Sequence, residues 1–144
     1  MRPTTVDELL ARARGRIERL EPHEAAAAAE AGALIVDLRP QETRRRAGIV
    51  PGSLHIPRSV LEWRLDPSSP SRNPHVGGFD RRLILLCDHG YSSSLAAATL
   101  VELGYARVGD VVGGFEAWSA AGLPVAAPSY EPAPDALPGT GPPE

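Results

Sequence analysis

The residues best equipped for chemistry stand together at Cys87-Asp88-His89-Gly90-Tyr91-Ser92, followed at once by Ser93 and Ser94. Cys87 is the one cysteine of the chain, so it has no partner for an internal disulfide. As a thiolate it would be a nucleophile. The run before it, Leu83 to Leu86, is the most apolar stretch of the chain and predicts a buried parallel strand. The run after it, Ser93 to Leu103, predicts a helix. A loop from a strand end into a helix start is where α/β folds place ligands. Gly90 permits a tight inward turn on which backbone N–H groups converge, and a helix N-terminus adds about half a positive charge. Both effects lower a thiol pKa. Taken alone, such a cysteine is often a small hydrophobe at a strand end. Gly90 and the serines, whose hydroxyls can cap the helix or donate to an anion, favour the reactive reading. Cys87 is therefore the candidate nucleophile, with Asp88, His89, Gly90, Tyr91, Ser92 and Ser93 as its anion-binding loop.

Holding that loop requires a sheet, and the chain supplies the elements in alternation. Thr5 predicts an N-cap for an amphipathic helix carrying Val6, Leu9, Leu10 and Ala13 and closed by Gly15, an extension over residues 1–15. The main domain is expected over 16–125. Its predicted strands are Arg16–Leu20, Ala33–Asp37, Ser53–Ile56, Leu83–Leu86 and Val108–Val112. Its predicted helices run from Pro22 to Ala31, Pro40 to Ala47, Ser59 to Leu65, Ser93 to Leu103 and Phe115 to Ala121. Leu95, Ala98, Leu100 and Val101 are expected to pack the cysteine-proximal helix onto the sheet. Asp66 to Gly78, with three prolines, reads as a mobile surface loop long enough to border a site. The alternation predicts an α/β fold with a mostly parallel central sheet of about five strands flanked by helices on both faces. Residues 126–144 hold six of the 15 prolines and read as a disordered tail.

Three further segments frame the cysteine loop: Val36-Asp37-Leu38-Arg39 with Glu42, Gly48 through Pro57, and Gly113-Gly114-Phe115-Glu116-Ala117-Trp118 with Gly122 through Val125. In this order and spacing the chain, from Ile17 to Val125, resembles a single-domain member of the rhodanese-like family. The resemblance implies the rhodanese-like fold and a sulfurtransferase reaction. In that reaction Cys87 takes a sulfane sulfur from a small anionic donor such as thiosulfate, carries it as a persulfide, and passes it to a thiol or cyanide-type acceptor. It implies no metal and no organic cofactor.

The departures from the family pattern bear on substrate. Many thiosulfate-using members carry a basic side chain in the loop, whereas here stands Asp88, whose charge opposes both a thiolate and a dianion. Arg44 and Arg58 are the candidates to bring positive charge to the mouth from neighbouring elements, and His89 adds one when protonated. The family's usual histidine in the second segment is Ile49 here. The alternative is a non-catalytic binding or regulatory module on the same fold. A cysteine phosphatase or arsenate reductase would place Arg six residues after the cysteine, and that position is Ser93.

The other marked residues read as structural. Asp37 and Arg39 suit a salt-bridge brace at a strand end, Phe115 and Trp118 the core, and His55 a satisfied strand histidine. Arg44-Arg45-Arg46 suits a solvated helix end. His23 and His75 lack metal-ligand spacing with Cys87. All 15 basic residues are arginines and the net charge is -3, which gives no dominant basic face for nucleic acid and no lysine for Schiff-base chemistry. No apolar run approaches the roughly 20 residues a bilayer requires, and the N-terminus lacks a signal-like apolar core. A cytoplasmic location is the expectation.

Overall fold

Short apolar runs without polar alternation form strands that are buried on both faces, and the amphipathic stretches between them return as helices. The computed structural model describes residues 2–128. In chain order the elements are α1 (Val6–Arg14), β1 (Glu18–Leu20), α2 (Pro22–Glu30), β2 (Leu34–Asp37), α3 (Gln41–Ala47) and β3 (Leu54–His55). A 3-10 turn (Arg58–Val60) then leads into α4 (Leu61–Leu65), β4 (Leu83–Leu86), α5 (Ser92–Leu103), β5 (Val108–Val111) and α6 (Gly114–Ala120). The strands form one sheet in the order β1-β5-β4-β2-β3, and every pairing is parallel. The expected architecture is thus realised, with a sheet that is wholly parallel.

Each face of the sheet carries its own apolar layer. On one side Leu83, Leu85 and Val36 meet Leu61 and Leu65 of α4 and Ala96, Ala97 and Leu100 of α5. On the other, Ile84, Leu86 and Ile35 meet Ala25 and Ala28 of α2 and Phe115 and Trp118 of α6. Of the expected set, Leu100 and Val101 pack on this layer and Ala98 is buried, while Leu95 is only half-buried; the inward stripe of α5 is completed by Ser93, Ala96 and Ala97. Small side chains let that helix lie close to the sheet. The same phase turns Ser93 inward beneath the cysteine loop.

The Asp66–Gly78 loop is anchored, with Ser69, Asn73 and Val76 buried and Asn73 N–H donating to Arg64 O at 2.7 Å. With Ala31, Gly32, Arg82 and Arg107 it lines a hollow at the N-terminal ends of the strands, opposite the cysteine. The N-terminal helix is also more than an extension, because α1 packs on α5. Its start is fixed by reciprocal bonds: Thr5 Oγ1 accepts from Glu8 N–H at 3.1 Å, and the Glu8 carboxylate accepts from Thr5 N–H at 3.4 Å. Beyond Val125 the chain is still docked, since Ile49 and Ala126 exchange N–H···O bonds of 2.8 and 2.9 Å. Most of the expected tail lies outside the described residues. Among the described residues no helix is long and apolar enough to cross a membrane.

Candidate active site

Cys87 immediately follows the central strand β4, and only 7% of its surface is exposed. Its Sγ accepts from the N–H of Gly90 at 3.2 Å and from the N–H of Ser93, at the start of α5, at 3.4 Å. For those N–H groups to converge, loop carbonyls must face away, and three of them, those of Cys87, Asp88 and Gly90, have partners behind the loop. Cys87 O accepts from Phe115 N–H at 2.8 Å and Asp88 O from Glu116 N–H at 3.1 Å, both at the start of α6. Gly90 O accepts from Arg14 Nη2 at 2.8 Å and Arg19 Nη2 at 3.0 Å.

This close stacking of two loops requires glycine at two places. Gly90 has φ +83°, and a Cβ there would lie 2.8 Å from Gly113 N. Gly114 has φ +64°, and a Cβ would lie 2.4 Å from Cys87 O. Both positions combine a backbone that disfavours side chains with no room for one.

Beneath the loop lies Asp110, fully buried on β5. Its Oδ2 accepts from the hydroxyls of Ser93 and Ser94, each at 2.7 Å, and its Oδ1 pairs with Arg19 Nε at 3.0 Å across the β1–β5 register. Burial pushes the Cys87 thiol pKa up, while the Ser93 and Ser92 hydroxyls and the N–H groups of Ser93 and Gly90 pull it down; the outcome is a lowered pKa. Ser93 Oγ has a single proton and the Asp110 carboxylate competes for it. The two N–H groups are therefore the steadier donors to sulfur.

Above the sulfur opens a cavity of about 580 Å³, walled by Leu38, Pro40, Pro57 and Tyr91 with Arg58 and Asp88 among the polar groups that line it. Arg58 pairs with Glu62 at 3.0 Å. Asp88 is half-buried, His89 is exposed with Nδ1 2.6 Å from Glu116, and Tyr91 is exposed with its ring centroid 5.5 Å from the Arg14 guanidinium carbon. The loop residues Asp88 to Ser93 and Arg58 thus gather around Cys87.

Arg44 does not. It is fully buried, with Nε 3.1 Å from Asp37 Oδ2 and Nη1 2.7 Å from Gln41 Oε1, and it lines no part of the cavity. The first arginine of the Arg44–Arg46 run is therefore neither a solvated helix end nor a substrate ligand. The reason is Asp37, a buried carboxylate at the end of β2 that needs counter-charges. It also holds Arg39, Nε to Oδ1 at 3.0 Å and Nη2 to Oδ2 at 2.9 Å, with the guanidinium 3.9 Å above the Phe115 ring. His55 Nε2 bonds Arg39 O at 2.7 Å, a structural placement. Trp118 lies in the core with Phe115.

Sequence reasoning missed Arg14, Arg19 and Asp110. One signal was present: an aspartate inside the apolar run Val108–Val112 has to be paired if that run is a buried strand. Among the described residues no group of three or more His, Cys, Asp or Glu side chains is placed to hold a metal ion.

A family model described as a rhodanese-like domain matches residues 21–121. Thiosulfate sulfurtransferase GlpE of Pseudomonas savastanoi is 40% identical over 103 residues, which cover 72% of this chain and 88% of that protein. Its namesake from Haemophilus influenzae is 33% identical over 108 residues, 74% of this chain and 91% of that one. Among solved structures, a protein of unknown function from Rhodopseudomonas palustris, described as a possible tyrosine phosphatase, superposes with a TM-score of 0.79 at 34% identity, covering 87% of this chain and 96% of its own.

Proposed function

The chain belongs to the rhodanese-like domain family, and from that premise we propose that it is a sulfurtransferase acting through a persulfide on Cys87. The observation that carries this reading is the aim of the Gly90 and Ser93 N–H groups at Sγ, 3.2 and 3.4 Å away. They stabilise the thiolate before attack and the persulfide anion after it. With thiosulfate as donor, the thiolate attacks the sulfane sulfur, the S–S bond breaks, and sulfite leaves with the bonding pair. A thiolate or cyanide then attacks the outer persulfide sulfur and returns Cys87 as thiolate. No net oxidant or reductant is consumed. The relatives that share over 30% identity are named for thiosulfate, which supports that donor.

Intact mass spectrometry tests the proposal. Incubation with thiosulfate should add one sulfur atom to the wild type and none to Cys87→Ser, and cyanide should remove it. If thiosulfate, mercaptopyruvate and glutathione persulfide all fail to load the protein, the module reading takes over; the acidic Asp88 at the cavity is what favours it. Phosphatase chemistry finds no support at the site, because position 93, where an oxyanion-gripping arginine would stand, is a serine committed to Asp110. We place the protein in the cytoplasm, where a single free thiol persists.

A further inference from the structure

We propose that Arg14 on α1 and Arg19 on β1 are positioning residues of the sulfur site, holding the Gly90 carbonyl outward so that the loop N–H groups stay aimed at Cys87. The proposal rests on the sulfurtransferase reading for its meaning in turnover, but its geometry stands independently. Both arginines precede residue 21, where the match to the family model begins.

Three carbonyls of the cysteine loop must face backwards, and two of them are held by N–H groups of α6 within the matched domain. The third, Gly90 O, accepts at 2.8 and 3.0 Å from two guanidiniums that come from the N-terminal segment, and at a longer 3.3 Å from Ser94 Oγ, whose proton the Asp110 carboxylate also takes at 2.7 Å. Gly90 is also the residue whose N–H lies closest to Sγ, so the peptide unit that donates to sulfur adjoins the one that carries the held carbonyl. Its φ of +83° is open to glycine flexibility and needs external fixing.

Arg14 does more than touch one oxygen. Its Nε donates to Ser94 Oγ at 3.1 Å, and its guanidinium lies over the Tyr91 ring. It therefore ties together Gly90, Tyr91 and Ser94, which flank the turn into α5. Arg19 joins the same carbonyl to Asp110 and, through Asp110, to Ser93 and Ser94. Two charge-assisted bonds on one carbonyl are stronger than neutral ones, although the charge of Arg19 is itself met by the buried Asp110. The helix α1 is in this account a component of the active site.

The test reads the alkylation rate of Cys87 against pH, with no sulfur donor present. Arg14→Met keeps the apolar stem and removes the donor; it should lower the rate at pH 7 by about threefold or more and raise the midpoint. Arg14→Lys, which can still reach Gly90 O with a charged donor, should recover most of the loss. Arg12→Met, an exposed site on the same helix, removes the same charge and should leave rate and midpoint at their wild-type values. Equal midpoints for wild type and Arg14→Met overturn the proposal, as does an equal shift in Arg12→Met. If Arg14→Met does not fold, Arg14→Gln and Arg14→Lys decide it: midpoints must rise in the order wild type, Lys, Gln, and any other order overturns it. A wild-type midpoint at or above about 8.5 would instead strike the activated thiolate itself, a failure of the functional reading that these variants do not share.

Discussion

At Cys87 the competition is between burial, which opposes a charged sulfur, and hydrogen bonding, which favours one. The bonds win, and the thiol pKa lies below its ordinary value. Alkylation followed against pH should have its midpoint below about 8.5. The same shift has a consequence for stability. Between the folded pKa and the higher unfolded one, the unfolded chain binds more protons, so stability rises with pH across that window and is lost as pH falls through the folded value. Urea titrations across this range should show the slope in wild type and its disappearance in Cys87→Ser. Asp88 acts in the opposite sense on substrate. At the cavity it repels a doubly charged donor, so Asp88→Arg should lower the KM for thiosulfate about fivefold, an energy near 1 kcal/mol. The gain should shrink at high salt; initial rates at two ionic strengths measure it, and no change at low salt would show that Asp88 does not face the donor.

At the level of elements, the loop is held by what lies behind it. Two predictions separate bracing from substrate contact. Arg44→Ala removes one of two counter-charges from the buried Asp37 and should destabilise the fold by about 3 kcal/mol in denaturant unfolding. Its KM should be unaltered, because Arg44 lines no part of the cavity. Gly114→Ala should abolish sulfur loading, since its Cβ would lie 2.4 Å from Cys87 O and force the two loops apart. Intact mass after thiosulfate reads this directly, and full loading would contradict the stacking argument. Helix positions explain why part of this was legible in the chain. Thr5, Gly15 and Pro22 marked helix ends by local chemistry, whereas the inward stripe of α5 depended on which side met the sheet and which met α1.

For the whole molecule, the ends of the chain matter as much as its middle. The Ile49–Ala126 bridge closes over Gly48, and Val125 Cγ1 would lie 2.5 Å from a Cβ at that glycine. A chain ending at Pro124 should therefore be less stable by about 2 kcal/mol than one ending at Pro128, from two lost backbone bonds; equal unfolding midpoints would show the bridge to be inconsequential. The sequence by itself determined the α/β order, the mostly parallel sheet, the cysteine at the end of its most apolar strand and the glycine, Gly90, that turns the loop inward. Those features depend on neighbours a few residues apart, through periodicity, turn chemistry and capping. Only the tertiary structure decided which arginines serve the site. Arg14 reaches Ser94 across 80 positions and Arg19 reaches Asp110 across 91, while Arg44 turns inward to Asp37. A long, flexible, charged side chain carries no periodic signature, and its partner is set by where the fold buries a carboxylate or turns out a carbonyl.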